Sequence, residues 1–175
     1  MSVIKVLFIC TMNICRSPAA EAVFRRQMKD AGLQRRVRVD SAGIQGQLAG
    51  EAPDARMQAA ARRRSYDLSR LHARQVRARD FQDFDYLLAM ERTHVESLSA
   101  ACPPEHRHKI ALLLDYAPDL ARREIPDPYY GGPQGFELVL DLIEEGSRGL
   151  RASVIATLNN TPGLNNTPKL KNPPG

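Results

Sequence analysis

Residues 10 to 17 read Cys-Thr-Met-Asn-Ile-Cys-Arg-Ser. A thiol closes an apolar, β-branched run, and a guanidinium follows six residues later where Ser17-Pro18 opens a helix. Successive backbone N–H groups in a tight loop can converge on one anion. A helix N-terminus adds its partial positive charge, and the planar fork of Arg16 can hold two oxygens at once. Together these make a phosphate-sized cradle with Cys10 at its floor. The same positive field favours a thiolate, and a thiolate beneath a bound phosphoryl group is a nucleophile in position. Spacing alone also fits a small buried cysteine in a strand, so the surrounding elements decide between the two. A second group of interest is Asp127, set between Pro126 and Pro128. Two prolines restrict its backbone. A fixed carboxylate suits a proton donor to a leaving oxygen, although a turn-forming Asp in a Pro/Gly loop reads the same way in isolation.

The elements that must position these groups alternate along the chain. Residues 3–9 read as a buried strand. Ser17 is placed as the helix N-cap with Pro18 at the first helical position, and apolar residues at helical spacing run from Ala19 to Met28 before Gly32 stops them. Residues 37–41 alternate as a second strand that Ala42-Gly43 breaks. Pro53-Asp54 opens a second helix, residues 71–76 connect, residues 84–90 form a third strand, and residues 91–100 a third helix ended by Pro103-Pro104. Residues 109–113 give a fourth strand, residues 124–132 a rigid loop, and residues 136–155 a long amphipathic helix. Strands alternating with helices imply a parallel sheet covered on both faces. Such sheets bind ligands at the carboxyl ends of their strands, where the Cys10 loop lies.

The 175 residues suffice for about one domain. No apolar run reaches the roughly 18–20 residues that cross a bilayer, no secretory leader is evident, and three cysteines do not make a disulfide framework. A reducing cytoplasm is the expected compartment. The net charge of +5 favours anionic ligands without identifying nucleic acid. Few aromatics and no Trp disfavour a base-stacking platform. Cys10, Cys15, Cys102 and the four histidines lack zinc-site spacing, so no metal is expected. Leu-Asn-Asn-Thr-Pro occurs at 158–162 and again at 164–168. That repeat divides the chain into a domain over residues 1–157 and a disordered low-complexity tail over 158–175.

Cys10 to Pro18 resembles the active-site loop of the low-molecular-weight protein tyrosine phosphatases. The resemblance continues in order through residues 40–43 (Asp-Ser-Ala-Gly), 71–75 (Leu-His-Ala-Arg-Gln), 84–90 (Phe-Asp-Tyr-Leu-Leu-Ala-Met) and 127–132 (Asp-Pro-Tyr-Tyr-Gly-Gly), covering residues 3 to about 156. It implies an α/β three-layer sandwich with a central four-stranded parallel sheet in the order 2-1-3-4. It also implies hydrolysis of phosphotyrosine and small aryl phosphates through a phosphocysteine, without cofactor or metal. Cys10 resembles the nucleophile, Arg16 the phosphate-binding residue and Asp127 the general acid and base. Thr11, Met12, Asn13, Ile14 and Cys15 fall in the phosphate loop. Ser17 resembles the hydroxyl that eases departure of the Cys10 sulfur, and Cys15 the partner of a reversible disulfide. Asn13, Ser41 and His72 resemble the network that fixes the loop, and Leu48, Tyr129 and Tyr130 the wall around the substrate ring. The implied partners are a tyrosine-phosphorylated protein, for bacterial members a kinase of polysaccharide export, and inhibitory phosphate-like oxyanions.

Three departures bear on this reading. Where the family loop usually has Gly, this chain has Met12. If the position requires positive φ, Met12 costs about 1–2 kcal/mol of strain, and it narrows the pocket mouth. The segment 44–50 carries no aromatic residue, so Leu48 is its apolar candidate. Glu91 stands where relatives usually have Asp. Ile14 lacks the hydroxyl that phosphoarginine-directed relatives tend to carry, which favours phosphotyrosine. The competing readings are a catalytically weak phosphate-binding module, supported by Met12, and a thiol-dependent arsenate reductase, for which Cys102 is the only downstream cysteine.

Overall fold

The computed structural model describes residues 2–129 and 131–161. Strand β1 (Ile4–Cys10) lies at the centre of a four-stranded sheet, with β2 (Val37–Gly43) on one side and β3 (Tyr86–Ala89) then β4 (Ile110–Leu112) on the other. All pairings are parallel, and the order is β2-β1-β3-β4, as expected. The strand period of two divides β1 between two cores. Ile4, Val6, Phe8 and Cys10 face the core under α1 (Arg16–Asp30) and α5 (Pro133–Asn160). Leu7 and Ile9 face the core that includes Phe81 of α3 (Ala78–Asp83) and Leu98 of α4 (Arg92–Ala101). The sheet is therefore covered on both faces, and Cys10 emerges on the α1 side at the carboxyl end of the central strand. Phe8 and Phe24 meet edge to face, with ring centroids 5.7 Å apart. The remaining helix, α2 (Ala55–Arg63), is capped by Asp54, whose carboxylate accepts from the Arg56 and Met57 N–H groups.

Three expectations need correction. Ser17 is not the N-cap of α1: the helix starts at Arg16 behind Cys15, which leaves the Ser17 hydroxyl free to turn toward Cys10. Ala42-Gly43 does not break β2, because Gly43 still pairs with Cys10 and bridges to Gln75. The domain does not stop at residue 157. Leu158 continues the stripe of Ile143, Leu150 and Val154, is 2% exposed, and carries α5 to Asn160. Burial of that side chain overrides the local preference of the Asn-Asn pair. The rest of the expected tail, residues 162–175, lies outside the described residues. α3 and the two short 3₁₀ turns, Pro104–Lys109 and Leu113–Tyr116, had no periodic signal in the sequence. The second of these turns explains Gly149 in α5, where an added Cβ would lie 1.7 Å from the Tyr116 carbonyl oxygen.

Leu158→Ala is expected to destabilise the fold by about 2–5 kcal/mol, the range for truncating a buried leucine. Urea denaturation checks this. A change under about 0.5 kcal/mol would fit a residue outside the packed domain.

Candidate active site

Among the described residues, no backbone N–H from Thr11 through Ser17 donates to a protein acceptor. The loop's carbonyls are turned the other way. Cys10 O accepts from Ile44 N–H, Thr11 O from Gln45 N–H, and Ile14 O from Asp54 N–H, at 2.7–2.9 Å. A loop with its carbonyls tied outward and its donors unclaimed is a ready anion cradle, and it runs directly into the first turn of α1.

One residue sets this shape. Asn13 has φ 59°, in the left-handed region, which Asn tolerates better than most residues. Its side chain then uses every polar position. The amide nitrogen donates to Ser17 Oγ at 2.8 Å and Ser41 Oγ at 2.9 Å, and the amide oxygen accepts from Arg74 N–H at 3.0 Å. The Ser41 hydroxyl donates in turn to Glu21, whose carboxylate also pairs with Arg25 at 2.7 Å. Burial pushes the Glu21 carboxyl up from its ordinary value. Gly43 completes the seat: a Cβ there would lie 2.9 Å from backbone atoms of Met12 and Thr11.

Cys10 is 3% exposed, and its Sγ lies 3.0 Å from Ser17 Oγ. Arg16 is almost fully buried. Its Nη1 donates to the Ile125 carbonyl at 2.9 Å and pairs with the Glu91 carboxylate, and its Nη2 lies 3.7 Å from Asp127 Oδ2. The other Asp127 oxygen accepts from Tyr129 N–H at 3.0 Å, so the carboxyl is anchored with one oxygen toward Arg16. Cys15 is buried, and desolvation pushes its thiol up from its ordinary value. Cys10, Thr11, Met12, Ile14, Cys15, Arg16, Leu48, Asp127 and Tyr129 enclose a cleft of about 290 Å³.

The sequence profile described as "Low molecular weight phosphotyrosine protein phosphatase" matches residues 5–160. The chain belongs to this family. It is 43% identical over 153 residues to the low molecular weight protein-tyrosine-phosphatase of Streptomyces coelicolor, covering 86% of this chain and 93% of that one. With YfkJ of Bacillus subtilis, also named a low molecular weight protein-tyrosine-phosphatase, it shares 42% identity over 151 residues, 86% of this chain and 96% of that one. The crystal structure of YfkJ superposes with a TM-score of 0.85 at 40% identity over 90% of this chain and 98% of that one. The protein tyrosine phosphatase of Entamoeba histolytica, solved with Hepes in the active site, gives a TM-score of 0.86 at 35% identity over 89% of this chain and 99% of that one. The protein is accordingly a hydrolase of the protein tyrosine phosphatase class.

In this phosphatase the loop, Arg16, Asp127, Leu48 and Tyr129 lie on one cleft, and Ser41 joins Asn13 and Ser17. Tyr130 lies outside the described residues. His72 does not join: it is exposed, while the neighbouring strand-like segment presents Arg74 N–H to Asn13. Met12 is not in the left-handed region either; the strained position is Asn13, so the expected cost at Met12 disappears. Met12 does line the cleft. Sequence reasoning missed four contributors. Glu21 follows Ser17 by four residues on α1, a spacing that shares a helix face. His94 follows Glu91 by three, a helix-start spacing. Arg74 and Arg56 gave no signal; Arg56, held by Asp54, lies 5.2 Å from the Tyr129 ring centroid and braces that wall.

Met12→Gly is expected to gain no stability and to lose about 0.5–1 kcal/mol through unfolded-chain entropy. Gly43→Ala is expected to disrupt the loop and weaken phosphate binding at least about tenfold, the factor for one lost good hydrogen bond to an anion. Chemical denaturation and inhibition by inorganic phosphate check the two.

Proposed function

We propose that this phosphatase hydrolyses phosphotyrosine and small aryl phosphates through a phosphocysteine on Cys10. The observation that carries the reading is the run of N–H groups from Thr11 to Ser17 without a protein acceptor, on the loop that leaves Cys10, with Cys10, Arg16 and Asp127 on the same cleft. The phosphate monoester's oxygens accept from these N–H groups and from the Arg16 guanidinium. The Cys10 thiolate attacks phosphorus from below, the phosphorus–oxygen bond to the aryl group breaks, and the Asp127 carboxyl delivers its proton to the leaving phenol oxygen. Asp127, now a carboxylate, takes a proton from a water that attacks the phosphocysteine. The phosphorus–sulfur bond breaks and the sulfur leaves as a thiolate. Ser17 Oγ, 3.0 Å away, stabilises that thiolate by donating to it. Arg16 and the loop N–H groups meet the charge on the phosphoryl oxygens in both steps.

Apolar rim residues support an aryl substrate: Met12, Ile14, Leu48 and Tyr129 offer contacts to a ring above the cradle. The physiological substrate would be a tyrosine-phosphorylated protein, and a bacterial tyrosine kinase of polysaccharide export is one such protein. Phosphate-like oxyanions would inhibit by occupying the same donors. Among the described residues no helix is long and apolar enough to cross a membrane. The three free cysteines suit a reducing compartment such as the cytoplasm. A weak binding module loses its support with the absence of strain at Met12. A thiol-relay reductase is disfavoured because Cys102 packs among Leu7, Ile9 and Leu98, in the cluster on the opposite face of the sheet from Cys10 and Cys15.

Hydrolysis of para-nitrophenyl phosphate, followed across pH with EDTA present, tests the reading. Cys10→Ser is expected to abolish turnover. Asp127→Asn is expected to lower kcat by about 10²–10⁴-fold, the usual contribution of a general acid. Wild-type protein that is folded but inactive, or a Cys10→Ser variant with full turnover, would sink the phosphocysteine mechanism.

A further inference from the structure

The first turn of α4 reaches the cleft twice, and the mechanism above uses only one of those contacts. Glu91, the residue that caps α4, sends its carboxylate to Arg16. His94, 4% exposed, sends its ring to the residue that follows the nucleophile: Nε2 lies 2.9 Å from Thr11 Oγ1. The tautomer follows from the other side of the ring. Nδ1 accepts from the Glu91 backbone N–H at 3.2 Å, and a ring nitrogen that accepts carries no proton. The neutral ring therefore holds its proton on Nε2 and donates it to Thr11 Oγ1. Burial, helped by the nearby Arg16 guanidinium, holds the His94 pKa down at about 4, so the ring is neutral at neutral pH. Thr11 Oγ1 then accepts from His94, and its own proton is turned away from α4. Among the described residues that proton has no protein acceptor, and Thr11 lines the cleft beside Cys10.

We propose that His94 is a positioning residue that fixes the Thr11 hydroxyl as a hydrogen-bond donor to the phosphoryl group. This rests on the phosphocysteine reading of the cleft. An unconstrained threonine hydroxyl rotates among acceptors and donors. With one lone pair engaged by His94, the O–H is set toward the anion before substrate arrives, adding a side-chain donor to the run of backbone N–H groups. Glu91 thereby organises both sides of the phosphate. Its backbone N–H fixes the His94 tautomer and its carboxylate holds Arg16.

The test measures kcat/KM for para-nitrophenyl phosphate, the inhibition constant of inorganic phosphate and the melting temperature. The variants are Thr11→Val, Thr11→Ser, His94→Asn and the double variant Thr11→Val/His94→Asn. Asparagine can still accept the Glu91 N–H but is too short to reach Thr11. Thr11→Val is expected to lose about 10- to 100-fold in kcat/KM and to weaken phosphate similarly, the worth of one hydrogen bond to an anion. Thr11→Ser keeps the hydroxyl and is expected to stay within about threefold of wild type. His94→Asn is expected to match the Thr11→Val loss alone and to add less than about twofold on top of it. Long-range ¹H–¹⁵N spectra are expected to show the Nε2–H form, with a resonance that phosphate moves in the wild type and not in Thr11→Val.

A Thr11→Val variant within about twofold of wild type overturns the proposal. So does an Nδ1–H tautomer, or a His94→Asn loss of equal size in both backgrounds. Should His94→Asn fail to fold, the Thr11 pair and the tautomer decide. Loss of the phosphocysteine reading is seen separately, as turnover that survives Cys10→Ser.

Discussion

The cradle exists because backbone donors from Thr11 to Ser17 are kept from protein acceptors while the carbonyls of Cys10, Thr11 and Ile14 are tied elsewhere. Orphaned donors are costly when shielded from water, so such a loop does not form on its own preference. It is held from three directions. The segment after β2 takes the carbonyls of Cys10 and Thr11 through Ile44 and Gln45, Asp54 takes that of Ile14, and Asn13 clamps the middle through Ser17, Ser41 and Arg74. The left-handed backbone of Asn13 is the strain that this arrangement tolerates, and the saturated hydrogen bonding of its amide is what holds it there.

A buried guanidinium imposes the second constraint. Arg16 could not sit nearly inaccessible to water without compensation. Glu91, the Ile125 carbonyl and, more distantly, Asp127 supply it from segments far apart in sequence. The consequence reaches beyond charge balance. Glu91 belongs to the start of α4 and Ile125 to the Pro-bounded loop, so the residue that would grip the phosphate also ties that loop to the sheet. Asp127 is thereby delivered to the cleft mouth with one oxygen fixed by Tyr129 N–H. The wall on that side continues through Arg56, stacked near Tyr129 and braced by Asp54, which itself holds Ile14 O. Loop, wall and acid are parts of one connected framework.

Much of this was legible in advance because it depends on local chemistry. The buried run of β1, the Cys-to-Arg spacing, the Ser-Pro helix start and the Pro-Asp-Pro restriction are statements about neighbouring residues and about periods of two or 3.6. The alternation along the chain gave the parallel sheet, and topology then put the Cys10 loop at its carboxyl edge. Short elements were not legible. α3 and the 3₁₀ turns have too few residues for a period, and Leu158 looked like part of a repeat because its neighbours are Asn and Thr. Its burial under α5's apolar stripe is a tertiary fact.

By itself the sequence determined the strand–helix alternation, the position of the thiol and guanidinium on one loop, and the presence of a conformationally restricted carboxylate. Tertiary structure decided which polar groups serve them. The sequence pointed to His72 for the loop network and not to His94, yet His72 is exposed and His94 is buried against Thr11. Glu21 and Arg74 enter the Asn13 network only because β2 and the 71–76 segment pass beside α1. The strain expected at Met12 fell instead on Asn13, one residue on. Which side chains can satisfy a buried donor depends on distances between segments tens of residues apart. Those distances are set by how two cores pack against one sheet, and no local pattern of residue types encodes them.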